Sequence, residues 1–398
     1  MRVSNGISGS SWFAAPLVLG MAVLGIASLC ATTAQAAPTL YPREISRASP
    51  GTILRIWPLD GGVRPGYKGY RILYRSTGVR GTPVAVTGAV MFPAEAASGP
   101  REVVAWAHPT TGVVSKCAPT LLPDLAGSVQ GIDRLADRKY VIVATDYVGL
   151  GTQDHHPYLV GDAAAYAVLD SIRAVRQLKD ARAGHRFAVW GHSQGGHSAL
   201  FTAAAQPTYA PELNLVGVAA AAPATDLLAL FAADRQTASG RSLTSMALLS
   251  WSRVFGLPIG AFVEDRARPQ FENLAGDCIE TLEDFFKEDR DEKALERKFL
   301  RVDPLDDQQV RSIMTTNSPG TLQSGMPVFL AQGTADDLVR PHITRAYMDR
   351  ICAGGAKVQL HTMNGGGHMF AGRDSAFAAV EWMAARFGGH APPDDCRR

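Results

Sequence analysis

The stretch Phe187-Ala-Val-Trp-Gly-His-Ser-Gln-Gly-Gly196 runs a short apolar strand straight into a Gly-x-Ser-x-Gly turn. Small residues from His197 onward then begin a helix. This is the layout of a nucleophile elbow, a sharp strand-to-helix turn that pushes one serine hydroxyl out of a sheet. Gly191 and Gly195 fit such a turn because strand and helix backbones pass too close for a Cβ, and Ser193 is expected in strained φ/ψ. The bare five-residue pattern recurs by chance, so its weight comes from its surroundings.

Those surroundings alternate. Gly69–Arg75 and Val84–Phe92 switch character residue by residue, as antiparallel strands with one wet face do. Val103–Ala107, Tyr140–Ala144, Phe187–Trp190, Leu215–Ala220, Val328–Ala331 and Lys357–His361 are more continuously apolar, as parallel strands covered on both faces are. Helical spacing is clearest over Ala163–Leu178 and Phe377–Phe387. Strands alternating with helices predict an α/β fold with a mostly parallel, doubly wound sheet. Residues 231–324 break the alternation: there are no good strand runs, but Ser242–Val263 and Glu280–Arg301 read as helical. We expect a helical cap there, over the C-terminal ends of the strands, inserted between core segments 37–230 and 325–398. The apolar face Met246, Leu249, Trp251 and Phe255 is assigned to packing within the cap in preference to lining an acyl pocket.

With 398 residues, 46% hydrophobic and 19% charged, the chain suits one large domain with an insertion or two modest domains. A net charge of +2 gives no reason to expect nucleic acid or anionic lipid as partner. Residues 1–36 read as an export signal: Arg2, an apolar run from Trp12 to Leu29, then an Ala34-Gln-Ala36 cleavage site. Cleavage is preferred to a membrane anchor because the small-residue site follows the apolar run directly. Lipid attachment at Cys30 is disfavoured by Leu29 before it. The mature chain is therefore expected to be secreted or periplasmic and to lack a transmembrane segment. It keeps Cys117, Cys278, Cys352 and Cys396, which favour two disulfides in an exported protein and allow three pairings. Cys117–Cys278 with Cys352–Cys396 is preferred, since each bond then ties a loop or tail to the body. No Cys-x-x-Cys spacing suggests zinc, and Asp154-His155-His156 is only a weak metal pattern.

A serine hydroxyl needs a base, and the base needs an orienting acid. After Val328–Ala331 comes Gln332-Gly-Thr-Ala-Asp336-Asp337, an acid on a turn leaving a strand; after Lys357–Met363 comes Asn364-Gly-Gly-Gly-His368, a histidine on a glycine-rich loop. Asp336 is preferred to Asp337 as the first acid after the turn. Of the ten histidines, His192 and His197 lie within the elbow and are read as packing or pocket-wall residues. His361 sits inside a strand, and His155 and His156 come too early in chain order. The oxyanion needs backbone N–H donors. One is assigned to Gln194, the residue after the nucleophile. The other falls in His108-Pro-Thr-Thr-Gly112, where Pro109 has no N–H, leaving Thr110 or Thr111 with Thr110 preferred.

Four motifs together go beyond the elbow: Ala107-His-Pro-Thr-Thr-Gly112 followed by Cys117-Ala-Pro-Thr120; Asp146-Tyr-Val-Gly-Leu-Gly151; His156-Pro-Tyr-Leu-Val160; and Gly191-His-Ser-Gln-Gly-Gly196. In combination they resemble the secretory lipases, α/β-hydrolases similar to Candida antarctica lipase A and its actinobacterial relatives. The likeness covers most of the mature chain and is weakest in the cap. It implies an α/β-hydrolase fold, a carboxylic-ester hydrolase of lipase or esterase type, a helical cap, and a triad falling on Ser193, Asp336 and His368. It also supports the two disulfides. Pro109 departs from the glycine that bacterial relatives tend to carry. The expected substrate is a small-molecule or lipid ester, with no cofactor and with transient contact between cap and lipid interface. A peptidase or an aryl- or polyester hydrolase on the same scaffold is the alternative enzyme, since a triad does not set the leaving group. A catalytically degenerate lipid-binding module is the alternative outside enzymes.

Overall fold

The computed structural model describes residues 42–59, 63–280, 282–295 and 298–397. The expected export signal over residues 1–36 lies outside them. Nine strands form one sheet: β1 (Ile53–Pro58), β2 (Tyr67–Thr77), β3 (Pro83–Pro93), β4 (Arg101–Ala107), β5 (Val141–Thr145), β6 (Ala183–His192), β7 (Asn214–Ala221), β8 (Pro327–Gly333) and β9 (Lys357–Met363). Their order is β1-β2-β3-β5-β4-β6-β7-β8-β9. The β1, β2, β3 and β5 pairings are antiparallel, and every pairing from β5–β4 through β8–β9 is parallel.

The strand chemistry accounts for this split. All five residues of β5 are buried, and the last five of β4 and last six of β6 are as well. Such strands need cover on both faces. One face packs against the helices Gly161–Val175 and Gln194–Tyr209, the other against Ala371–Phe387. Gly217 in β7 marks how close that last helix lies, because a Cβ there would meet the indole of Trp382. On the first face, the buried Asp170 carboxylate accepts from Ser76 Oγ at 2.7 Å, Tyr209 OH at 2.8 Å and Arg173 Nη1 at 2.9 Å. It thereby ties β2 to both helices.

Several element boundaries differ from those expected from the sequence. The helix expected over Ala163–Leu178 runs Gly161–Val175, and the one expected over Phe377–Phe387 begins at Ala371. The helical stretch expected over Ser242–Val263 is broken: Ala238–Phe255 stops at Gly256, whose φ of 76° is the left-handed cap conformation, and a short turn Ile259–Phe262 follows. Within the stretch expected over Glu280–Arg301, Leu282–Ala294 is helical and Leu300 bridges Val263 in antiparallel fashion. β1 was not anticipated; half of it is solvent-facing, so its apolar signal is thin.

Between β7 and β8 lie the helices Leu227–Asp234, Ala238–Phe255, Arg268–Ala275, Leu282–Ala294 and Gln308–Thr316, with shorter turns. They enclose their own apolar cluster, including Met246, Trp251, Phe262, Phe271, Phe299 and Met314, and it extends to Val113, Tyr158 and Leu159 on the loops after β4 and β5. Met246 and Trp251 are fully buried, Leu249 is buried, and Phe255 is half-buried against the same cluster. That face is used for internal packing. Among the described residues no helix is long and apolar enough to cross a membrane.

Candidate active site

The parallel register sets the turn. Ala107 of β4 faces Gly191 of β6, and His192 faces Ala221 of β7. The chain then reverses into the helix at Gln194, with Ser193 N donating to Ala221 O at 2.9 Å. Ser193 adopts φ 56° and ψ −117°, a conformation costly for a residue with a Cβ. The flanking glycines have a steric cause: a Cβ on Gly191 would strike the backbone of Gly195, and one on Gly195 would strike the carbonyl oxygen of Ala107.

On the turn after β8, Asp336 is buried whereas Asp337 is exposed. Asp336 Oδ1 accepts from the backbone N–H of Val339 at 2.8 Å and of Leu338 at 3.1 Å. Its Oδ2 accepts from Gln332 Nε2 at 3.2 Å and pairs with His368 Nδ1 at 3.0 Å. Gln332 is itself oriented by Thr344 Oγ1, which donates to its Oε1 at 2.6 Å. Sequence reading missed Gln332; its place beside Asp336 depends on the turn folding back. The acid and histidine loops interlock, with Ala335 N donating to Gly366 O at 3.0 Å.

His368 Nε2 lies 2.9 Å from Ser193 Oγ. A carboxylate only accepts, so Nδ1 carries the proton towards Asp336 and Nε2 is free to accept from the serine hydroxyl. Serine, imidazole and carboxylate from the ends of β6, β9 and β8 thus form one hydrogen-bonded line. The His368 side chain is 12% exposed, which leaves the line reachable from solvent.

Gln194 is buried behind the serine. Its Nε2 lies 3.2 Å from His156 Nε2, and His156 Nδ1 lies 2.8 Å from the carbonyl of Val148. Across the site, Thr110 Oγ1 pairs with Tyr158 OH at 2.9 Å. Thr111 is fully buried, and its carbonyl accepts from Ile279 N at 3.1 Å. Beside that bond the sulfurs of Cys117 and Cys278 are joined, so the loop after β4 is stapled to the helical insertion. Cys352 and Cys396 form the second disulfide.

The two histidines that flank the serine in the elbow have structural partners. His192 Nε2 meets His368 O at 3.0 Å, and His197 Nε2 meets Asn317 O at 2.8 Å. Burial depresses His192 to about 3, the His368 ring adding to the effect, and burial depresses His156 and His197 each to about 4. All three are neutral at pH 7. His156 spends both ring nitrogens inside the protein, which removes it as a metal ligand. No cluster of three or more metal-ligating side chains occurs among the described residues. Asp234, at the end of the helix Leu227–Asp234, was also not foreseen. Burial raises it to about 6, against the opposing effect of Arg340, whose Nη2 lies 3.7 Å away.

Residues 128–395 match the model of the secretory lipase family. The chain belongs to the secretory lipase family. Among relatives of this secretory lipase, a Mycobacterium tuberculosis protein described as a probable inactive lipase is 26% identical over 87% of this chain and 81% of its own length. Lipase A of Arthroderma benhamiae is 24% identical over 82% of this chain and 72% of its own. Candida antarctica lipase A in its closed state superposes with a TM-score of 0.73 at 19% identity, covering 89% of this chain and 86% of that one. A rice cell wall degrading esterase, LipA of Xanthomonas oryzae, gives 0.68 at 23% identity over 86% and 97%. At these identities the structural likeness establishes the α/β-hydrolase fold. Membership of the secretory lipases supports a carboxylic-ester hydrolase as the class of activity.

Proposed function

We propose that this secretory lipase is a secreted serine hydrolase that cleaves carboxylic esters through an acyl-enzyme. The observation that carries the reading is the continuous line from Ser193 Oγ through His368 to Asp336, at 2.9 and 3.0 Å. Ser193 Oγ attacks the ester carbonyl carbon while its proton passes to His368 Nε2, and Asp336 holds the resulting imidazolium in place. Gln194 N–H and Thr110 N–H receive the oxyanion. The tetrahedral adduct collapses as His368 protonates the departing alcohol. Water then attacks the acyl-enzyme by the same route, and Ser193 regains its proton. No cofactor takes part. In this reading residues 1–36 direct export, and residues 231–324 act as a cap over the core formed by 37–230 and 325–398. Brief lipid contact through the cap is supported by exposed Val302 within it, and by exposed Met369 and Phe370 beside His368.

A relative described as probably inactive makes a non-catalytic lipid-binding module the reading to test against. Labelling with a fluorophosphonate separates the two. Wild type and Ser198→Ala should label and Ser193→Ala should not; Ser198 is a buried helix residue whose Oγ donates to Gln194 O at 2.9 Å. Absence of labelling and of p-nitrophenyl ester turnover in the wild type would leave the binding module standing. Faster turnover of aminoacyl-anilides than of esters would move the assignment to a peptidase.

A further inference from the structure

One short segment touches both residues assigned to the oxyanion hole. His156 Nδ1 faces a carbonyl, Val148 O at 2.8 Å, so that nitrogen carries the proton. Its Nε2 is then bare and accepts from the side-chain amide of Gln194 at 3.2 Å. Two residues on, the hydroxyl of Tyr158 pairs with Thr110 Oγ1 at 2.9 Å. Gln194 and Thr110 stand on different elements, one opening the elbow helix and one on the loop after β4.

The segment is itself held from the helical insertion. Ser250 Oγ donates to His156 O at 2.6 Å and accepts from Tyr158 N at 2.9 Å. Trp251 Nε1 donates to Tyr158 O at 2.9 Å. His156, Tyr158, Ser250 and Trp251 are all at least 97% buried, so water is a poor substitute for any of these bonds.

We propose that His156 and Tyr158 are positioning residues that together fix the two halves of the oxyanion hole, with Ser250 and Trp251 of the helix Ala238–Phe255 as their support. Oxyanion stabilisation depends on donors being in place before charge develops, so a small loosening is felt in the transition state more than in substrate binding. The segment stays in one protonation form through the working range. Burial holds the imidazole near 4 and raises the phenol to about 12. In this arrangement the helix Ala238–Phe255 supports the hole instead of merely roofing it.

The inference rests on the serine-hydrolase reading, and the test keeps the two apart. Ser193→Ala, Tyr158→Phe, His156→Leu and His156→Gln are compared with wild type for kcat and KM on a soluble p-nitrophenyl ester. The same proteins are measured for affinity towards a trifluoromethyl ketone, which mimics the oxyanion adduct, and for Tm. Tyr158→Phe should lower kcat by about 3- to 10-fold, the size expected for one buried hydrogen bond, with KM within about twofold. Ketone affinity should fall in proportion. His156→Leu should behave alike, and His156→Gln, which keeps an acceptor facing Gln194, should recover most of the loss. Should a variant fail to fold, Ser250→Ala is subjected to the same comparison. Residual ester turnover in Ser193→Ala at the wild-type rate defeats the underlying reading. A dead Ser193→Ala alongside wild-type kcat and ketone affinity in Tyr158→Phe, or a change confined to KM, defeats this inference alone.

Discussion

His192, the residue before the elbow serine, donates Nε2–H to the backbone carbonyl of His368 at 3.0 Å. The two rings lie 5.2 Å apart, centroid to centroid. His368 follows a glycine-rich turn, and its carbonyl accepts both this bond and one from Ala371 N at 3.1 Å, which help to hold its backbone. The elbow therefore presents the serine and also anchors the loop that brings the imidazole to it.

Replacing His192 by Phe keeps a ring in the space and removes the donor. We expect kcat to fall by about 3- to 10-fold with little change in KM. Because burial keeps His192 neutral down to about pH 3, the kcat/KM profile above pH 5 should retain its wild-type shape. Steady-state kinetics from pH 5 to 9 check both statements; a lost ionisation in that range would assign His192 a protonic role.

Gly195 and Gly256 are both glycines for which alanine is unsuited, for different reasons. At Gly195 the obstacle is a carbonyl oxygen of the neighbouring strand, which cannot move without breaking the sheet. At Gly256 there is open space around the added methyl, and only φ 76° opposes it. Gly256→Ala should cost about 1 kcal/mol in urea unfolding with activity kept. Gly195→Ala should cost more than about 3 kcal/mol, or prevent folding, with fluorophosphonate labelling lost.

The two disulfides should differ in worth. Cys117–Cys278 spans 161 residues and Cys352–Cys396 spans 44. On loop-closure entropy, the longer span constrains the unfolded chain by about 1 kcal/mol more. The paired alanine variants, compared by denaturant unfolding, should show that order. The Cys117–Cys278 variant should also lose activity, because that bond staples the Thr110 loop.

His197 supplies a pH prediction. Unfolded, the imidazole takes a proton near its ordinary 6.5; folded, burial delays this to about 4. Between these values unfolding takes up a proton, so the stability present above pH 6.5 is lost as pH falls. His197→Gln keeps a donor within reach of Asn317 O but does not titrate. Its stability should therefore drop less than that of wild type from pH 7 to pH 5, by about 2 kcal/mol. Parallel unfolding curves at the two pH values decide it; an equal drop in both proteins would falsify the burial argument.

Much of the frame was legible without coordinates. Strand character, the glycines of the elbow and the chain order serine, acid, histidine are local signals: each depends on a few adjacent residues and on which strand they follow. Helix ends within 231–324 were less legible. There Gly256 and the Val263–Leu300 bridge decide where helix stops, and the bridge joins residues distant in sequence.

By itself the sequence determined an α/β sheet with a strained serine turn, and named Ser193, Asp336 and His368 as groups that each leave the end of a different strand. Tertiary structure alone decided that His192 faces His368, that Gln332 braces Asp336, and that Ser250 and Trp251 grip the His156–Tyr158 segment. The reason is geometric. A hydrogen bond requires atoms within about 3 Å, and between residues on separate elements that distance is set by how the whole chain packs.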